Sequence, residues 1–475
     1  MKNSQSAAHI TRQTKIVATI GRASESKEML TELVKNGLNV VRMNMSHGDH
    51  AEHAAKITRI REVNKELGAH VAVLVDLAGP KIRIGDISTD TINLVAGKKI
   101  TLTTEKVMGT VSRVYVNYPK LPKEVKKGGV IMLNDGKQKL VVESISGNDI
   151  VCRIEVGGEI RGRRGVNVPG AYLSVSAITP KDKKDIDFAV AQKADFVAIS
   201  FVRTEKDIQM LKKILANKSW QPRIIAKIET EESIECFDEI LNLVDGVMVA
   251  RGDLAVEVPK ERVPALQKKI IRKANEAGKF TITATQMLSS MTTSPVPTRA
   301  EVSDVANAIF DGTDAVMLSE ESAMGDYPVE AVATMRAICE ANDMVNDPRH
   351  EYVHFDHARH GLPKAAVELA KTLGAKAIVA LTETGSTPFV ISRFKTNIPV
   401  IALTDKSPKL NFLSLAHGVS LIPHEAIHSI PELRTSVREM VKSEGVAKKG
   451  EKIVVVSGLT FGVSGSTNML FVEEV

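Results

Sequence analysis

Eight short β-rich runs, each ending on polar residues, constrain this chain more than any other feature. They are Lys15–Ile20, Asn39–Met45, His70–Val75, Asp195–Ser200, Arg223–Ile228, Gly246–Ala250, Phe280–Ala284 and Asp314–Leu318. Amphipathic segments with helical spacing lie between them, at Ser24–Asn36, His50–Leu67, Pro180–Gln192, Glu205–Ala216, Glu231–Leu243, Glu261–Ala277 and Thr298–Phe310. Strands buried on both faces of a parallel sheet read as near-continuous apolar runs, and these do. Strands and helices alternating in this number predict a (β/α)8 TIM barrel.

The third unit is interrupted. Between Pro80 and Gly165 the texture becomes short alternating runs: Thr91–Val95, Lys99–Thr103, Ser112–Val116, Val130–Leu133, Lys139–Ser144 and Ile150–Val156. Turn signals divide them, at Ala96-Gly97, Asn134-Asp-Gly136 and Gly147-Asn-Asp149. That pattern predicts a small all-β domain inserted into a barrel loop. Following the C-terminal end of a strand, it is placed over the barrel mouth. Beyond Asn346 the pattern changes again. Helices Lys364–Leu373, Pro388–Phe394, Pro408–Ala416 and Ser429–Glu444 alternate with strands Ala377–Leu381, Val400–Leu403, Val419–Ile422, Lys452–Val456 and Met469–Val472, predicting an open α/β domain. The expected organisation is a discontinuous barrel (1–79 and 166–345), an inserted β-barrel lid (80–165) and a C-terminal α/β domain (346–475). A chain of 475 residues exceeds what one core holds, in keeping with several domains.

Composition excludes several classes. A net charge of +6, from 63 basic against 57 acidic residues, is spread along the chain and gives no basic patch for nucleic acid. Cys152, Cys236 and Cys339 lie far apart with no CxxC spacing, which fits a reducing compartment better than a disulfide framework. The polar start MKNSQSAAHITRQ lacks the apolar core of a signal peptide, and no apolar run approaches the ~20 residues of a membrane span. A cytoplasmic protein is expected. His354, His357 and His360 have no carboxylate or cysteine framework beside them and read as solvated linker histidines.

TIM barrels carry their chemistry at the C-terminal strand ends. The second run offers Arg42, Asn44 and Ser46, two apart and therefore on one face. The third offers Asp76, the fifth Lys227 and Glu229, the sixth Arg251-Gly252-Asp253, the seventh Thr285-Gln286, and the eighth Ser319 and Glu321. Ser319 and Glu321 read equally well as a satisfied rim contact. Glu229 and Asp253 are two hard oxygen ligands that suit Mg²⁺, with Mn²⁺ an alternative. Lys227 and Arg42 are cations that need an anion, and amides near Gly252 and Asp253 suit a carboxylate or phosphate. A metal, two cations and small polar groups describe phosphoryl transfer, which depends on positioning and charge neutralisation. No GxxxxGK[ST] motif is present, which excludes a P-loop kinase.

Seven motifs now become recognisable. Thr14-Lys-Ile-Val-Ala-Thr-Ile-Gly21, Val41-Arg-Met-Asn-Met-Ser-His-Gly48, Gly79-Pro-Lys-Ile-Arg83, Lys227-Ile-Glu229, Met248-Val-Ala-Arg-Gly-Asp-Leu254, Thr283-Ala-Thr-Gln-Met-Leu288 and Pro297-Thr-Arg-Ala-Glu301 with Asp304-Val-Ala-Asn307 resemble pyruvate kinase, in order over essentially the whole chain. The resemblance implies phosphoryl transfer from phosphoenolpyruvate to ADP, giving pyruvate and ATP. It implies that Glu229 and Asp253 bind Mg²⁺, that Lys227 stabilises the transferring group and the enolate, and that Arg42 contacts the phosphate. Thr285, Ser200 and the Gly252 and Asp253 amides would hold the substrate, with Thr285 in the proton relay. Arg83 would couple lid closure to the site. Asn44, His47, Arg83, Arg164 and Arg22 would lie on the nucleotide side. A cytoplasmic homotetramer is implied.

In potassium-requiring members, the positions of Asn44, Ser46, Asp76 and the carbonyl of Leu77 form a monovalent-cation cage. Those members carry Thr where this chain has Leu77 and Glu where it has Lys81. An ammonium is a compact positive charge, so Lys81 is expected to stand beside Asp76 and replace K⁺. Other departures are Arg22 for a usual Pro, Ala255 for a usual Gly and Glu320 for a usual Gly. In the last domain Thr382-Glu-Thr-Gly-Ser-Thr387 resembles the family's effector loop. Thr382, Thr384, Ser386 and Thr387 would bind a sugar phosphate or nucleotide, with Gly465-Ser-Thr-Asn468 as a second loop. A plain helix cap is the alternative for that stretch. For the whole chain, the alternatives are a Mg²⁺-dependent lyase acting on pyruvate enolates and a non-catalytic sugar-phosphate sensor.

Overall fold

A computed structural model describes residues 12–343, 358–405 and 409–475. His354 and His357 lie outside them. Among the described residues no group of three or more His, Cys, Asp or Glu is arranged to hold a metal.

The eight runs form one closed barrel. Its strands are Lys15–Thr19, Val40–Asn44, Ala72–Asp76, Phe196–Ile199, Arg223–Ile228, Gly246–Ala250, Phe280–Ala284 and Ala315–Leu318, each parallel to its neighbours, the last closing on the first. β-branched and aliphatic side chains fill both faces, so nearly every barrel residue is buried. The register sets the mouth. Thr19 lies opposite Arg42, Asn44 opposite Asp76, and Asp76 opposite Ala198. Polar side chains from strands one to three therefore end at one level.

The insertion is an all-β domain, and it runs past the expected limit at 165 because strand Val166–Asn167 pairs with Val130–Leu133 in its sheet. Its main sheet runs in the order Val166–Asn167, Val130–Leu133, Gln138–Ser146, Asp149–Val156, Lys99–Thr103 and Arg113–Tyr115. A second sheet pairs Gly158–Ile160 with Ile92–Leu94. The strands at 158–160 and 166–167 are too short to carry an alternating pattern, so periodicity misses them. The C-terminal domain is a five-stranded sheet, Val419–Pro423, Val400–Thr404, Ile378–Leu381, Lys452–Gly458 and Thr467–Glu474, antiparallel only at its last pair.

The helices depart from expectation in four places. The segment Glu231–Leu243 breaks at Cys236 into Glu231–Glu235 and Phe237–Leu243. The segment expected at Pro408–Ala416 is a 3₁₀ turn over Asn411–Leu415, and Pro408 lies outside the described residues. Arg251–Glu257 is helical although Gly252 disfavours helix. Helix Pro328–Asn342 was also not expected.

The C-terminal domain docks under the barrel through a buried ionic hub. Asp314, at the foot of the eighth strand, accepts from Arg393 (2.6 and 2.9 Å), Lys395 (2.6 Å) and the Thr281 amide (2.9 Å). Burial alone would raise the Asp314 carboxyl, but Arg393 and Lys395 outweigh it and hold it far below the carboxylate range. Lys15 reaches the Val419 carbonyl (2.8 Å), a second polar tie across the same boundary.

Candidate active site

Asp76 is the centre of the mouth. One carboxylate oxygen accepts from Nε of Arg42 and lies as close to its Nη2, each at 2.7 Å. The other lies 3.5 Å from the Lys227 ammonium. Burial pushes the Asp76 carboxyl up, and the two cations more than reverse it, leaving Asp76 ionised below its ordinary range. Arg42 also donates to the Thr19 hydroxyl (2.9 Å), a contact that sequence reasoning overlooked although Thr19 ends the first strand.

Lys227 is buried between anions. Its ammonium donates to Ser200 Oγ (2.8 Å) and pairs with Glu229 (2.8 Å). Burial opposes its charge, yet Asp76 and Glu229 raise the ammonium above its usual value, so it stays protonated and is no base. Ser200 Oγ donates to the Leu77 carbonyl (2.7 Å), which locks the hydroxyl toward Lys227. Glu229 takes the Phe201 amide at 2.8 Å, with Phe201 at φ 53°, a strained conformation outside glycine. Burial raises the Glu229 carboxyl, Lys227 opposes this, and Asp253 adds to it. A buried carboxylate whose charge is disfavoured by burial and by a second carboxylate is a donor set that a divalent cation relieves.

Gly252 and Asp253 sit in the first turn of helix Arg251–Glu257. The Gly252 amide donates to Thr285 Oγ1 (2.8 Å), whose own proton goes to the Ala284 carbonyl (2.6 Å). Thr285 and Gln286 are both left-handed, at φ 69° and 54°. Arg251 secures this corner through Asp304 (2.7 Å) and the Thr285 carbonyl (2.7 Å). Glu321 turns inward to the Ser319 and Leu288 amides (2.7 and 3.2 Å), so it is a rim support.

Lys81 is not where the sequence reading put it. Among the described residues it forms no ion pair with Asp76, whose carboxylate is taken by Arg42 and Lys227. The chain turns at Gly79 (φ +66°), where a side chain would press on Ser200 and Phe201 at 3.0 to 3.1 Å. That turn carries Lys81 to Gly165, against which its stem packs, and into a cavity shared with Asp253, Glu257 and Asn167. Asn44 Oδ1 accepts the Ser46 amide (3.1 Å), while Ser46 and His47 are exposed. Arg83 reaches the Arg163 carbonyl (3.0 Å) on the lid; Arg164 and Arg22 are exposed.

In the last domain Thr382, Thr384, Ser386 and Thr387 line a cavity of about 240 Å³ with Gly465, Ser466 and Thr467. Thr382 Oγ1 accepts the Gly385 amide (2.9 Å), and the hydroxyls of Thr387 and Thr467 bond at 2.8 Å. The two loops thus meet.

Comparison with known proteins agrees with this layout. The family model for the pyruvate kinase barrel domain matches residues 11–332, and that for the pyruvate kinase alpha/beta domain matches 361–473. A pyruvate kinase of Clostridium acetobutylicum is 41% identical, covering 98% of this chain and 99% of its own. A second, from Synechocystis, is 44% identical over 98% of this chain and 79% of its own. A crystal structure of a pyruvate kinase from Cryptosporidium parvum superposes with a TM-score of 0.92, at 35% identity, covering 98% of this chain and 97% of that one.

Proposed function

The chain belongs to the pyruvate kinase family, and from that premise we propose how its own residues carry the reaction. It is a phosphotransferase that takes phosphoenolpyruvate and ADP to pyruvate and ATP. The observation that carries the residue assignment is the array Arg42–Asp76–Lys227–Glu229, which fixes two cations and two carboxylates at the barrel mouth. Arg42 binds the phosphate. Lys227, kept charged by Asp76 and Glu229, faces the charge that builds on the moving group and the enolate oxygen. Cations already oriented at that point cost no reorganisation as the reaction proceeds. Ser200 fixes the Lys227 ammonium and borders the substrate. Thr285, with the Gly252 and Asp253 groups, holds the substrate carboxylate and lies at the head of the proton path to the enolate carbon.

Glu229 and Asp253 would hold Mg²⁺, with Mn²⁺ as a substitute, and the ion would neutralise phosphoryl charge. Asn44, His47, Arg22, Arg83 and Arg164 form the nucleotide side, Arg83 and Arg164 arriving with the lid. Lys81, facing the cavity that Asp253 lines, supplies the single positive charge that K⁺ gives other members of the family. The C-terminal cavity takes a sugar phosphate or nucleotide as effector. The working form is a cytoplasmic homotetramer. Among the described residues, no helix is long and apolar enough to cross a membrane.

Chelation tests the metal assignment. ATP formation from phosphoenolpyruvate and ADP should vanish in EDTA and return with excess Mg²⁺. Turnover that EDTA leaves untouched would remove Glu229 and Asp253 from the metal role.

A further inference from the structure

The inserted domain touches the catalytic barrel at a place none of the site residues explains. Asn167, in its last strand, donates from Nδ2 to Glu257 Oε1 at 2.9 Å. Glu257 ends the seven-residue helix whose first turn carries Gly252 and Asp253. Beside it, buried Val256 lies against the turn Asn134-Asp-Gly136, 3.5 Å from where a side chain on Gly136 would begin. That turn is built to project. Asn134, Asp135 and Gly136 are all left-handed, at φ 53°, 56° and 82°, and the Asn134 amide is pinned to the Gly165 carbonyl (3.0 Å). Two non-glycine residues in that region cost energy and persist only where the surroundings over-determine them.

We propose that Glu257 is a positioning residue: through Asn167 the inserted domain grips the far end of helix Arg251–Glu257, and through the helix it sets where Gly252 and Asp253 stand. The proposal rests on the reading of Gly252 and Asp253 given above. A helix of this length is about 10 Å long and behaves as one rigid turn-pair. Its near end is tied by Arg251 to Asp304 and to the Thr285 carbonyl. Its far end is tied to the lid by the Asn167–Glu257 bond. With both ends fixed, the first turn has one place to be, and a shift of ~1 Å in such groups is costly to turnover.

The neighbourhood argues that Glu257 serves as an acceptor, not as a charge. Glu231, Glu232 and Asp253 all act on it with the same sign, and the cavity it lines also holds Glu232, Asp253, Lys81 and Arg203. Arg203 is directed at the carbonyls of Leu173 (2.9 Å) and Val175, and is thus already engaged. Burial, with those carboxylates, pushes the Glu257 carboxyl up to about 7, against the opposing effect of Asn167. Its oxygen faces the Asn167 amide N–H at 2.9 Å, so Glu257 serves as a hydrogen-bond acceptor whatever its charge.

The test is steady-state kinetics on the full-length protein. The wild type is first shown to make ATP from phosphoenolpyruvate and ADP; if it makes none, the functional reading falls and this proposal with it. Given an active wild type, E257A and N167A should each raise KM for phosphoenolpyruvate about tenfold. They should also lower kcat, while KM for ADP stays within about twofold. The double variant should be no worse than either single one, because both remove one contact. E257Q, whose amide oxygen still accepts from Asn167, should stay near wild type. Unchanged KM for phosphoenolpyruvate in N167A, or E257Q as impaired as E257A, overturns the proposal while leaving the reaction assignment intact. If E257A does not fold, N167A and E257Q decide.

Discussion

Arg42 and Asp76 meet across adjacent barrel strands through two nitrogens on one carboxylate oxygen, each at 2.7 Å. The contact does two jobs: it aims the guanidinium into the mouth, and it leaves the second oxygen of Asp76 for Lys227. Removing Asp76 therefore strands two buried cations, which costs about 3–5 kcal/mol when a buried pair is broken. D76N should show that loss in urea unfolding at pH 7. The sign with pH follows from the depressed carboxyl. Its contribution is present above the unfolded value near 4 and fades as pH falls below it, so the wild type should approach D76N in stability under acid. A difference between the two that does not shrink as pH falls would contradict this.

Lys227 is kept protonated by its neighbours, so its part is electrostatic. K227M should lower kcat by roughly a thousandfold or more, the scale of losing a fixed charge aimed at a transition state, with the circular dichroism spectrum retained. Turnover within tenfold of wild type would refute the role.

The hub at Asp314 predicts a stability effect remote from the mouth. Arg393 and Asp314 are both buried, and Arg393 also reaches the Lys279 carbonyl at 2.9 Å. R393M should destabilise the chain by about 3 kcal/mol or more, because Asp314 keeps its desolvation cost with less compensation. Differential scanning calorimetry would also show whether the C-terminal domain then melts ahead of the barrel, as loss of its main polar tie requires. A single transition at the wild-type temperature would contradict the hub.

In the last domain, Thr384 and Ser386 face a cavity whose two loops join through Thr387 and Thr467. T384A together with S386A should abolish activation by a sugar phosphate or nucleotide. Basal turnover should be unchanged. Activation retained by the double variant would leave the loop a helix cap.

The barrel was legible because a parallel strand buried on both faces is a continuous apolar run, and all eight such runs stand in the chain as strands. The mouth was legible for a related reason: side chains alternate, so Arg42 and Asn44, or Lys227 and Glu229, had to share a face. What could not be read was contact across distance. Nothing local in the sequence joins Asn167 to Glu257 or Arg393 to Asp314, since each bond depends on how two domains settle together. Helix Arg251–Glu257 was hidden by Gly252, and Lys81 was misplaced beside Asp76 because the left-handed turn at Gly79 redirects the chain. Proximity in sequence gave no hint of that redirection.

The most direct test of the account is turnover of phosphoenolpyruvate with ADP and Mg²⁺ in a buffer free of K⁺, NH₄⁺ and Na⁺, repeated with K⁺ added. The account predicts ATP formation in the first buffer and no more than a twofold change on adding K⁺, because Lys81 already supplies the charge. Turnover that appears only with K⁺ would contradict the role given to Lys81 while keeping the reaction. No ATP in either buffer, even with the effectors named above, would contradict the account as a whole.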